Sequence, residues 1–249
     1  MINIIKSDLF RARKSHRLLI SFCLIVAFSV LNLVFQSSER MDMVTLTLIT
    51  GRSGIGALYQ IMGQTNVLAY LFIVIFSFIG TDFSSGTFKN TISTKTNRLH
   101  YILAKYFFSS IFSTILFIFF LVFSFAFGSI LGCNIGTFHE GSLELLKMAF
   151  YQYLILLAMN SFGLMLVFLL KKNLLAFVIY IIFPFALQFF IFHILDLREY
   201  FHFELIAGSQ AIARNELPSN VEPLYPFWVI GIGVLCFLIG WKSFKKWDA

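Results

Sequence analysis

Charge is what this sequence has least of. Only 12% of its 249 residues are Asp, Glu, Lys or Arg, about half the ~25% of a typical soluble domain. The apolar share is 59%, and Phe alone occurs 33 times. One soluble core of this length cannot hold that much apolar surface. The composition therefore excludes an ordinary water-soluble domain and points to a polytopic membrane protein. Cysteine is scarce too. Cys23, Cys133 and Cys236 stand far apart, with no CxxC pair and no Cys/His cluster, so no metal site is expected. No P-loop is present: GRSGIG, from Gly51 to Gly56, lacks the GK[ST] ending that cradles phosphates. No HExxH motif occurs, and His16, His100, His139, His193 and His202 are scattered over different segments. The expectation is a chain that is not itself an enzyme and binds no cofactor. Ionisable residues are almost missing from the apolar runs, which argues against ion-driven transport.

Six apolar runs are present, at about 18–35, 65–80, 106–131, 148–170, 174–195 and 226–241. Each is near the ~20 residues that cross a hydrocarbon core. A start near Ala57 also fits the second run. The first ends in QSSER without a small-residue cleavage site, so it reads as a retained span and not a signal peptide. Pro184 inside the fifth predicts a kink.

The cations order these runs. With the amino terminus inside, the inner segments hold five cations in 1–17, four in 81–105, two at Lys171-Lys172 and three at Lys242, Lys245 and Lys246. The outer segments hold only Arg40, Arg52, Lys147, Arg198 and Arg214, while most carboxylates fall outside. The asymmetry predicts an all-α fold of six transmembrane helices in one domain over 1–249, with both termini cytoplasmic. It also explains the excess of 19 Lys+Arg over 12 Asp+Glu as topology and not nucleic-acid binding.

Residues 1–17 form a basic leader. Wound as a helix, Ile2, Ile5, Leu9 and Ala12 share a face, with Lys6, Arg13 and Arg17 to one side. This suits an amphipathic helix in the inner interface; a disordered basic tail is the alternative. Segment 196–225 is too apolar for a plain loop. Short helices dipping into the outer leaflet and a cap lying flat on it both fit. Gly128, Gly132 and Gly136, four residues apart, suggest a seam where helices approach closely. Asn32, Asn160, Ser161 and Gln188 are the main polar residues inside the runs. They serve either as interhelical hydrogen-bond partners or as the lining of a translocation path.

The most specific stretch is TDFSSGTFKNTISTKTNRLHYILAK, residues 81–105. It carries Lys89, Lys95, Arg98 and Lys105 against the single carboxylate Asp82, with Gly86-Thr87 breaking the apolar pattern. Asp82, Gly86-Thr87, Lys89, Arg98 and Lys105 resemble the connection between spans two and three in permease subunits of type-2 ABC exporters. Asp82 stands where Glu is commoner, and Thr96-Asn97 replaces the Pro often found before the Arg.

The resemblance implies a coupling segment, 81–100, that docks on a separate cytoplasmic ATPase, with Asp82, Gly86, Thr87, Phe88, Lys89, Ile92 and Arg98 at the contact. As a helix, this segment would present Phe88 and Ile92 on one face. The resemblance further implies two ATPase copies, which hold the ATP and Mg, and a second permease copy or a paralogue. It implies a multi-pass protein of a bacterial cell membrane. The compact branch it is most similar to exports or expels amphipathic and antimicrobial peptides, including lantibiotic immunity permeases and modulin-type toxin exporters. A non-transport membrane scaffold or sensor subunit is the alternative. It would need neither an ATPase partner nor Lys89 and Arg98.

Overall fold

The computed structural model describes residues 2–14, 16, 19–27, 30, 53–62, 98–132, 135, 142–190, 203, 205–213, 217–218 and 221–246. All regular elements among them are helices: α1 (Ile2–Lys14), α2 (Gly54–Met62), α3 (Arg98–Gly132), α4 (Ser142–Leu170), α5 (Asn173–Phe189), α6 (Leu205–Ala213) and α7 (Tyr225–Lys245). Residues 19–27 are helical as well. By length and composition α3, α4 and α7 can each cross a membrane. The shorter α5 is apolar throughout most of its length.

α3 has 35 residues, about 52 Å at 1.5 Å per residue. That exceeds a ~30 Å hydrocarbon core, so this helix is longer than its apolar run. It takes in Arg98 to Lys105, which the sequence pattern assigns to the polar connection. α4 likewise begins at Ser142, ahead of its apolar run, with Glu144 in the first turn, where the helix dipole favours a carboxylate.

α4 lies at the centre. α7 runs parallel to it and in close contact along its length, from Tyr225 beside Tyr151 to Phe244 beside Phe168. A Cβ on Gly233 would sit 3.4 Å from Ala158 Cα, and one on Gly240 would sit 3.2 Å from Met165 Cα. These two glycines, seven residues apart, let the backbones close on each other. Between α4 and α5 the chain turns in two residues. Lys171 takes φ 58°, the left-handed conformation of a helix C-cap, and its N–H reaches Val167 O at 3.1 Å. From there α5 turns back along α4, presenting Ala176, Tyr180 and Pro184, four residues apart, as its buried stripe. Tyr180 stacks on Phe162 at 5.7 Å.

α2 crosses the far end of α3. Ser53 caps it, its Oγ accepting from Gly56 N at 3.0 Å. Gly54 packs so closely that an added Cβ would lie 2.0 Å from Ser129 Oγ and 2.9 Å from Phe125 O. A Cβ on Gly128 would lie 2.2 Å from Ala57 Cβ. Helix 19–27 joins α3 through Phe22, edge-on to Phe119 at 4.8 Å.

The outer surfaces are apolar. Ile111, Ile115, Ile118 and Val122 form one exposed ridge on α3, and Leu174, Val178, Ile181 and Ile182 one on α5. Such surface is compatible with a membrane protein. Of segment 196–225 the described residues contain one short helix, α6, and a turn at 221–224.

Candidate functional site

The cation-rich ends of the helices meet. The first turns of α3, the carboxyl end of α4 with Lys171-Lys172, the carboxyl end of α7 and helix α1 all converge there. The centre is a buried ion pair: Lys105 Nζ lies 2.6 Å from Asp8 Oδ2. Lys105 is 2% exposed and Asp8 4%. Arg11, one turn after Asp8, pairs with the other carboxylate oxygen. Lys105 Nζ also stands 5.4 Å from the Tyr101 ring centroid, within cation–π range. Tyr101 stacks on Phe244 of α7 at 5.7 Å, and Phe244 meets Phe168 of α4 at 5.1 Å. Arg98 Nη1 donates to Lys245 O at 2.7 Å, placing a cation on the negative end of α7. The opening of α3 is thus bound to α1 by charge and to α7 by an aromatic stack and a helix cap.

This arrangement alters the reading of the leader. Ile4, Ile5, Asp8 and Ala12 face inward, four residues or nearly so apart, while Leu9 and Phe10 are exposed. The buried stripe is therefore rotated from Ile2, Ile5, Leu9 and Ala12. Apolar periodicity missed it because the inward position at 8 is a carboxylate. The available signal was its isolation: Asp8 is the only acid in the leader, and Lys105 is the cation nearest the third apolar run.

Of the proposed coupling residues, Arg98 is placed as above. Asp82, Gly86, Thr87, Phe88, Lys89 and Ile92 lie outside the described residues. So does Asn32. Asn160 and Ser161 share the α3–α4 seam. Ser109 Oγ donates to Asn160 Oδ1, and Asn160 Nδ2 donates to Ser110 Oγ at 3.2 Å. Ser161 Oγ lies 3.2 Å from Tyr106 OH and 3.0 Å from Leu157 O. Both residues are 1% exposed, so in this state they clasp two helices together. Gln188 stands on α5, outside that seam, half-buried. Gly128 is at the α2–α3 crossing, Gly132 ends α3, and Gly136 lies outside the described residues.

Three further polar links were not singled out from sequence. Gln152 Nε2 donates to Met62 O at 3.0 Å, closing the carboxyl end of α2. Thr114 Oγ1 and Tyr153 OH are 3.0 Å apart. Lys147 pairs with Glu222 at the end of the bundle away from Lys105. Gln152 and Asn160, eight residues apart and so on one face of α4, were the legible signal for the first. The hydroxyls of Ser113 and Ser124 are buried and have no hydrogen-bond partner among the described residues.

No protein-family model matches the chain, and no curated protein matches it.

Proposed function

We propose that the chain is the permease subunit of an ATP-driven exporter of the type-2 ABC class. It would sit in a bacterial cell membrane through six spans, with both termini in the cytoplasm. In this reading segment 81–100 docks on a separate ATPase, two permease and two ATPase copies form the working unit, and the cargo is an amphipathic or antimicrobial peptide. The observation that carries it is the pattern Asp82, Gly86-Thr87, Lys89, Arg98 and Lys105 in a polar connection between two apolar runs.

The helix geometry supplies a physical route for coupling. Arg98 to Lys105 continue that connection directly into α3. A rigid helix that starts at a docking segment carries displacement of that segment into the bundle. Through Lys105–Asp8 and Arg98–Lys245 it also moves α1 and the end of α7. The shortage of charge inside the apolar runs supports an energy source on a partner.

The test is co-purification with the nucleotide-binding subunit of the neighbouring gene, measuring ATP hydrolysis. Wild type should bind and stimulate it. Gly86→Pro, Lys89→Glu and the pair Lys89→Glu/Arg98→Glu should fold and lose binding or stimulation. Lys89→Glu alone is the decisive variant, because Arg98 also caps α7 and its loss acts on the bundle itself. If no ATPase associates, or Lys89→Glu behaves as wild type, the scaffold or sensor reading takes its place.

A further inference from the structure

A cavity of about 470 Å³ lies between α4, α5 and α7. Its walls are Met159 and Phe162 of α4, Pro184 of α5, and Ile232 and Cys236 of α7. One end is closed by Phe203 against Trp228, rings edge-on at 5.4 Å. The indole N–H is already used, donating to Phe203 O at 2.9 Å. Among the described residues no charged side chain lines the space. A water molecule needs two to four polar partners to be held in a cavity, and these walls do not supply them. The polar residues of α4, Asn160 and Ser161, are engaged with α3 instead.

The rim settles what can enter. Phe183 and Leu235 line the cavity and are also largely exposed. They continue into the exposed apolar surface formed by Ile182 on α5 and by Leu238 and Ile239 on α7. The mouth therefore opens on the apolar flank of the helices and away from their charged ends. In a membrane that flank faces lipid tails. If a methylene fills about the ~30 Å³ of a water molecule, the cavity takes on the order of 15 of them, the length of one fatty acyl chain.

The geometry points to a lateral binding site for a single hydrocarbon chain, presented by a membrane phospholipid. The chain enters between α5 and α7 and runs inward to Met159. Burial of each methylene that leaves the bilayer gains little by itself, since lipid is as apolar as the wall. The gain is dispersion contact with a wall that otherwise faces a void. This inference rests on the membrane reading and not on the ATPase reading, so each can fail alone.

The experiment uses the full chain in phosphatidylcholine vesicles doped with a phosphatidylcholine that carries a diazirine midway along one acyl chain. After irradiation, adducts are mapped by peptide mass spectrometry. Bulk lipid can label exposed Leu238 and Ile182, but Met159 is 4% exposed and lines the cavity. Wild type should be labelled at Met159 as well as at the exposed positions. Ile232→Phe fills the space, and labelling at Met159 should fall about tenfold while Leu238 and Ile182 keep theirs, as expected when a ring excludes the chain from a close-packed site. Cys236→Phe, at another wall, guards against a folding effect of the first variant. Labelling confined to exposed residues in wild type overturns the proposal. So does labelling at Met159 that both filled variants leave unchanged. A parallel arm uses an amphipathic helical peptide carrying photo-leucine. If that peptide labels Met159 and the lipid does not, the site belongs to peptide side chains and the lipid assignment is wrong.

Discussion

Asp8 and Lys105 show what a single pair of residues decides. Removing one partner of a buried ion pair leaves an uncompensated charge and costs about 3–5 kcal/mol, whereas replacing both with apolar groups is often neutral. Lys105→Met takes the buried cation from Asp8 and leaves it the half-exposed Arg11, so it should cost less than that full range and lower the thermal midpoint of the detergent-solubilised protein by a few degrees. The double variant Lys105→Met/Asp8→Leu should recover most of the loss, as measured by size-exclusion chromatography after heating. Equal losses in single and double variants would mean that the pair is not what holds α1. Sequence reading found both residues and their common side, since both count among the inner charges. It did not find their contact, because a separation of 97 positions carries no periodic signal. The same holds for Asn160. Its role as a hydrogen-bonding residue inside an apolar run was legible, but Ser109 and Ser110 as its partners were not.

Among the elements, α3, α4 and α7 were legible as apolar runs, and their extra turns were not. Arg98–Lys105 and Ser142–Lys147 are polar enough to resemble connections, yet they extend the helices because tertiary partners hold them: Asp8 and Phe244 for one, Glu222 for the other. The glycines separate in the same way. Gly128 packs on Ala57, so Gly128→Leu forces α2 and α3 apart and should cost about 1–3 kcal/mol, the usual range for overpacking. Gly231→Leu is the matched control, because a Cβ there meets nothing within 4 Å. Thermal midpoints of the two variants check this; a Gly128→Leu protein as stable as Gly231→Leu would remove the crossing from the account. Gly233 and Gly240 form a second close seam, against α4, and their spacing of seven residues is less conspicuous in sequence than that of Gly128, Gly132 and Gly136.

For the whole molecule, the testable quantity is orientation. Lys171 and the Asp8–Lys105 pair lie at one end of the bundle, and Lys147 with Glu222 at the other. In the proposed topology the first end is inside. In a chain with Cys23, Cys133 and Cys236 changed to Ser, a membrane-impermeant maleimide added to intact cells should label Lys147→Cys and leave Lys171→Cys unlabelled until the cells are opened. The reverse pattern would invert the topology and remove the coupling segment from the cytoplasm. Sequence by itself determined helical class, the approximate runs of α3, α4 and α7, and that their cation-rich ends share a side. Each of these follows from transfer energy and charge count, which are sums over local residues. Only the tertiary structure decided which face of α1 turns inward, that α4 is the central helix, and that α4, α5 and α7 leave a cavity between them. Those outcomes depend on which side chains meet across different helices, and the shape of a contact is not a property of either helix alone.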